Sequence, residues 1–291
     1  MASRRQVDPT RTSGLRRQYE AATVRRFFSL KKAMRTSIVI NDGLGLEQGL
    51  RLNAIDPLGV RQLANLTDQQ RAAAFAEWLK ASIDEGILEL QQTAGAESAA
   101  LWQQRFVQAA YLKGVQSAMA SLARYGLDIA EQTVAQILGS TFHSTRLEVL
   151  FFRNFTELKG ITGTMAQGVM RELIDGLASG KGPRQIATAI NKKVEGIGIK
   201  RARILARTEI IRANNEAQLA AFEQFGVSDV TVEAEFLTAG DSRVCAQCAA
   251  LEGQIFPLDK AHGMIPVHPQ CRCTWIPVTE RNKPELAGSA A

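Results

Sequence analysis

The chain of 291 residues is poor in aromatic side chains, at 6%, and has no cysteine before position 245. The first scarcity argues against a base-stacking surface of the kind that holds single-stranded nucleic acids. The second excludes a disulfide framework spread through the whole chain. No apolar run reaches the ~18 residues that a membrane span needs, and no apolar segment follows the basic start as a secretory signal requires. These absences lead us to expect a soluble protein made in the cytosol, with no membrane partner. No internal repeat is present.

What is present is unevenly distributed. The formal charge of +6 divides sharply along the chain. Residues 1–35 hold ten basic side chains (Arg4, Arg5, Arg11, Arg16, Arg17, Arg25, Arg26, Lys31, Lys32 and Arg35) against Asp8 and Glu20, or +8. The other 256 residues hold 25 basic against 27 acidic, or −2. The basicity therefore belongs to an arm rather than to the body, and those ten residues are the candidates for nucleic-acid contact. Eight net charges beside phosphate support salt-sensitive, sequence-independent binding to double-stranded DNA. A recognition helix with clustered base-reading side chains is missing, so specific readout is not expected.

The hydrophobic periodicity is mainly helical. Val24–Met34 is compatible with a short helix but shows no clear apolar stripe, and 41–60, with its glycines and Pro57, reads as a connector. Helices are expected over about 67–93, 97–124, 127–138, 144–158, 162–179, 184–194 and 200–225. Gly180 and Pro183 separate 162–179 from 184–194. In 200–225 the apolar stripe is Ile204, Ile211, Leu219 and Phe222, and the arginines are read as a solvated surface. Beyond Gly226 the pattern alternates: strands are expected at 230–236, 254–256 and 274–278, with a short helix from Ser242 to Leu251 capped by Asp241. The fold class is mainly α, a large helical body with a small C-terminal α+β, cysteine-rich subdomain. The divisions are an arm and connector over 1–60, a helical domain over 61–143, a second helical part over 144–227, the Cys/His subdomain over 228–280 and a flexible tail over 281–291.

All four cysteines fall within 29 residues, at Cys245, Cys248, Cys271 and Cys273, in a window shared with His262 and His268. Such clustering in a cytosolic product favours a metal over disulfides. If 242–251 is helical, Cys245 and Cys248 lie one turn apart on one face. In an extended strand Cys271 and Cys273 would stand roughly 6.5–7 Å apart, whereas two thiolates on one tetrahedral zinc must approach to about 3.8 Å. The expected set is therefore Cys245, Cys248, His268 and one of Cys271 or Cys273, closing a structural zinc site. Disulfides in any of three pairings, or four reduced thiols, are the alternatives. His262 reads as a loop residue and His143 as a packed or surface histidine.

Three elements occur in order: Ala206-Arg207-Thr208-Glu209 with Asn214-Asn215; Leu237-Thr238, then Asp241-Ser242-Arg243-Val244-Cys245, Cys248, Leu251 and Gly253; and Pro266-Val267-His268-Pro269-Gln270-Cys271-Arg272-Cys273. Over about 145–278 this resembles the head-morphogenesis (minor head protein) family of tailed bacteriophages, of the phage Mu F type. The resemblance implies a minor capsid protein associated with the portal protein and with the major capsid or scaffolding protein. It would be found in the virion at the portal vertex, and in the host cytoplasm during assembly. It also implies that Arg207, Thr208 and Glu209, with Asn215 and Asp241, form a structural motif tying the helix to the cysteine subdomain. The expected function is non-enzymatic: procapsid assembly, DNA packaging or DNA delivery. The alternative is a zinc-stapled DNA-processing enzyme resembling His-Asn-His nucleases. It is disfavoured because the 18 residues after Cys273 contain no histidine, and Pro277 and Pro284 interrupt any helix there.

Overall fold

The computed structural model describes residues 8–46, 67–89, 102–127, 133–225 and 232–279. Arg4, Arg5, Leu101, Gly226, Val230, most of the connector and the expected tail lie outside the described residues. The helices are α1 (Ser13–Arg35), α2 (Asp68–Ile83), α3 (Gln104–Arg124), α4 (Val134–Gly139), α5 (Thr141–Ala178), α6 (Pro183–Lys193) and α7 (Lys200–Phe225). There follow β1 (Glu233–Leu237), the one-turn α8 (Ala246–Ala249), β2 (Ile255–Pro257), the one-turn α9 (Leu258–Ala261) and β3 (Thr274–Val278). The fold is mainly α with a small α+β subdomain, as the periodicity indicates.

The chain forms two compact units that are not consecutive stretches. One gathers residues 1–19, 103–153 and 206–291, and the other 20–102 and 154–205. The two units are interleaved along the chain, because α1, α5 and α7 each contribute residues to both. Helical periodicity reports which face of a segment is buried, but not which distant segment covers it.

In the second unit the core is built from Phe27, Leu30 and Met34 of α1, Phe75 and Leu79 of α2, Met165, Val169 and Leu173 of α5, and Ile186 and Ile190 of α6. Here α1 corrects the sequence reading. Tyr19, Thr23, Phe27, Leu30 and Met34 are buried at three- and four-residue steps, a continuous stripe interrupted in sequence by basic doublets. The basic segment is thus a packed amphipathic helix.

The two helices expected over 144–158 and 162–179 are one. Helix α5 runs unbroken through Gly160 and Gly163, where a Cβ would meet nothing within 4 Å. Two exposed glycines cost roughly 0.5–1 kcal/mol each relative to alanine, less than packing along the helix supplies. It does stop at Gly180, whose φ of +62° suits glycine. There Gly180 N–H donates to Leu177 O and Lys181 N–H to Gly176 O, closing the last turn.

In the first unit α7 is the central element. From Leu205 to Phe222 it is buried on nearly every side, not along the single stripe expected. Its close partner is α3. A Cβ added at Gly114 would lie 2.2 Å from Asn214 O and 2.7 Å from the Ala217 Cβ. The sheet, ordered β2-β1-β3 and antiparallel throughout, buries Ala234 and Phe236 of β1. Phe236 sits opposite Trp275 in the register, ring centroids 5.5 Å apart and nearly perpendicular.

Gly114→Ala is expected to destabilise the protein by about 1–3 kcal/mol through overpacking, measured by denaturant unfolding. Gly160→Ala is expected to be neutral or stabilising by up to about 1 kcal/mol. Equal effects at the two positions would contradict this packing.

Candidate functional site

The cysteines are brought together by two turns. Cys245 is not inside a helix but caps one: its Sγ accepts from Cys248 N–H at 3.4 Å, and α8 begins at Ala246. This corrects the longer helix expected over 242–251, and Asp241 does not cap it. A CxxC at a helix cap places both sulfurs beside the amides of a tight turn. On the other side Gln270 takes φ +65°, and residues 271–273 precede β3 rather than lying in it. The turn brings Cys271 and Cys273 within reach of one ion, against the extended geometry assumed from sequence.

Two groups of candidate ligands result. The ligand atoms of Cys245, Cys248 and His268 lie within 4.8 Å of one another, as do those of Cys248, Cys271 and Cys273. Cys248 belongs to both. Its Sγ lies 3.9 Å from that of Cys271, close to the ~3.8 Å separation of two thiolates on one tetrahedral ion. Cys248, Cys271 and Cys273 are buried, and all four cysteines are free thiols. His268 Nδ1 donates to Pro269 O at 2.8 Å, the arrangement that leaves Nε2 as ligand atom.

The thiol environment is uneven. Hydrogen bonding from the Cys273 thiol, helped by the Cys273 and Val267 amides, brings Cys271 down to about 5 against the opposing effect of burial. Burial and the adjacent Cys271 push Cys248 up to about 12. Cys273 is raised by its hydrogen bond to Cys271 and by burial. The cluster can hold a metal ion.

Helix α7 supplies the support on which these turns rest. Thr208 Oγ1 accepts from Gln270 N–H at 3.2 Å, and Arg207 donates to Gln270 Oε1 at 2.9 Å. These bonds fix the residue in the left-handed conformation. Two turns on, the Asn215 amide donates to Cys273 O at 3.3 Å and Ile211 O at 2.8 Å. Glu209 faces elsewhere: its buried carboxylate lies 3.7 Å from Arg153 Nε and 3.4 Å from Arg212 Nε. Asn214 donates to Ala110 O of α3. Asp241, with a side chain only 2% exposed, receives both ends of the Arg272 guanidinium at 2.6 Å. Arg243 binds it at 2.9 Å, and Arg272 chiefly holds its carboxyl far below the usual range. Arg207, Thr208 and Asn215 therefore join helix to cysteine segment directly, while Asp241 joins the first cysteine turn to the second.

Residues 167–276 match the family model described as phage Mu protein F like protein. Over these residues the chain is similar to that family. The match takes in the end of α5, α6, α7 and nearly all of the Cys/His subdomain, so the family segment includes both the supporting helix and both cysteine turns. No curated protein and no solved structure matches the chain.

Several residues of this phage Mu F-like segment escaped the sequence reading. Gln218 Oε1 accepts from Thr274 Oγ1 at 2.8 Å and Trp275 N–H at 3.4 Å, anchoring β3. Glu216 accepts from Gly263 N–H at 2.8 Å. His262, read as a loop residue, bridges Glu216 (2.7 Å) and Glu223 (2.9 Å), and Glu223 also binds Arg146. The available signal was polar residues recurring at 208, 215, 218 and 223 along an alanine-rich helix. His143 is packed, between Tyr111 Oη at 2.8 Å and Gln224 Oε1 at 2.7 Å, and burial lowers its pKa.

The His262 bridge has a pH signature. The hydrogen bond to Glu216 raises its pKa above the ordinary 6.5, burial opposes this, and Glu223 adds to the rise. Its stabilisation is complete below the ordinary histidine value and is lost as pH rises through the elevated folded-state value. Thermal melts are expected to show wild type losing stability over that interval relative to His262→Gln. Parallel pH curves for the two proteins would contradict the bridge.

Proposed function

We propose that the chain is a minor head protein of a tailed bacteriophage. In this reading it acts at the portal vertex, without catalysis, in procapsid assembly, DNA packaging or DNA delivery. The observation that supports this best is the use made of the motif residues. Thr208, Asn215 and Asp241 are engaged with the backbone or the arginines of their own segment, as in a structural joint. The phage Mu F-like match over the same residues gives the joint its context. Partners on this reading are the portal protein and the major capsid or scaffolding protein. Among the described residues no helix is long and apolar enough to cross a membrane.

Zinc is the proposed ion, because a thiolate–imidazole set selects it. A closed set of four drawn from Cys245, Cys248, His268, Cys271 and Cys273 would be structural, replacing the core that three short strands and two one-turn helices cannot build.

The proposed DNA contact is smaller than the +8 count implied. Arg16 is paired with Asp8, Arg26 with Glu89 and Lys31 with Glu195, and Arg26 also stacks on Trp102 at 3.8 Å. Exposed Arg25, Lys32 and Arg35 follow one face of α1 at steps of seven and three, which suits non-specific contact with duplex phosphates.

Co-expression with the portal protein is expected to yield one assembly containing both chains. The purified protein is expected to bind unrelated duplexes equally, and replacing Arg25, Lys32 and Arg35 by glutamine is expected to flatten the log–log salt slope by up to about 0.9 per lost contact. Failure to assemble with the portal protein would overturn the head-protein reading. An unchanged slope would remove the DNA contact, and metal-dependent cleavage abolished by His268→Ala would replace both with a nuclease.

A further inference from the structure

A cavity of about 500 Å³ opens in the first unit, outside the cysteine cluster. Five arginines line it from four separate segments: Arg16 and Arg17 in the first turns of α1, Arg207 on α7, Arg243 after β1, and Arg272 before β3. Asp8 and Asp241 are its acidic lining residues, so the lining carries a net +3. No aromatic ring lines it.

The two carboxylates are already engaged, Asp8 by Arg16 and Asp241 by Arg272 and Arg243. Each is planar with two oxygens, and neither neutralises the cluster. Arg16 shows the deficit. Burial lowers its pKa most, Asp8 opposes this, and the nearby charges of Arg272 and Arg207 lower it further. Its buried Nε has no hydrogen-bond partner. Arg17 and Arg243 are exposed at the rim, and the Arg243 side chain is 72% accessible. The net lining charge therefore matches a multiply charged anion, and donors arriving from four segments suit a tetrahedral group with several oxygens better than another planar carboxylate. The absence of rings means that a base or sugar would find no stacking partner there.

We propose that this arginine-lined cavity is a phosphate-binding site, taking a phosphate or pyrophosphate group free in solution or carried on a nucleic-acid strand. The site rests on its own geometry and does not depend on the head-protein reading. It is also separate from the exposed face of α1 assigned to duplex contact, because Arg25, Lys32 and Arg35 do not line it.

The test is calorimetric titration of the full chain with inorganic pyrophosphate. Wild type is expected to bind, and Arg17→Glu and Arg243→Glu are each expected to weaken binding about tenfold or more, the loss of one charge-assisted contact. Lys159→Glu, an exposed reversal outside the cavity, is expected to leave affinity unchanged. Unaltered circular dichroism establishes that the variants are folded, and Arg17→Gln provides a milder variant with the same expected direction. Competition then identifies the source. Displacement of pyrophosphate by a 5′-phosphorylated single strand, but not by the unphosphorylated strand, supports a terminal phosphate. Displacement by both supports an internal phosphodiester, and by neither a free anion. No binding, equal loss in Lys159→Glu, or displacement by an oligoglutamate peptide as effective as pyrophosphate would overturn the proposal.

Discussion

The polar groups of a buried helix must find partners, and in this chain those partners are the backbone and side chains of the C-terminal subdomain. Helix α7 is enclosed on nearly every side between Leu205 and Phe222, yet it carries Thr208, Asn215, Glu216 and Gln218. Left unpaired, such groups cost about 1–3 kcal/mol each. Gln270, Gly263, Cys273, Thr274 and Trp275 provide partners, and only the Asn215 carbonyl oxygen among these groups stays buried without one. Each bond also fixes a point along a segment that has little core of its own. The position of the cysteine turns, the register of β3 and the conformation of Gln270 follow from this row of contacts.

The cysteine cluster completes what the helix begins. One cysteine pair lies at a helix cap and the other at a left-handed turn, with Cys248 common to both ligand groups. Asp241 and Arg272 tie the two turns together through a bidentate ion pair in which the carboxylate is almost wholly buried. The arrangement is a joint, and it lies within the segment that matches the phage Mu F-like model.

Much of this could be read from sequence where one residue type decides the conformation. Gly180 and Pro183 marked a helix end and start, alternation marked β1 and β3, and cysteine spacing marked the cluster. The misreadings have a common origin in non-local packing. The stripe of α1 was hidden because Thr23 stands at a core position and basic doublets flank Phe27. Two helices were expected over 144–158 and 162–179, but Gly160 and Gly163 are exposed in one long helix held by its other face. The turn that unites Cys271 and Cys273 depends on Gln270, a residue with no intrinsic preference for positive φ, held there by Thr208 and Arg207 more than sixty positions earlier. The +8 of the first 35 residues was real as a sum, but pairing and the arginine-lined cavity divide it among separate tasks.

We propose that the C-terminal subdomain is folded by its attachment to α7 together with a metal held by the cysteines. Hydrogen exchange on the full chain, with zinc content measured on the same sample, tests it directly. Wild type should carry about one zinc, and chelation or Cys248→Ser should remove protection from residues 232–279 while α3 and α5 keep theirs. Full protection of 232–279 in metal-free protein with reduced thiols would show that the subdomain folds without a metal.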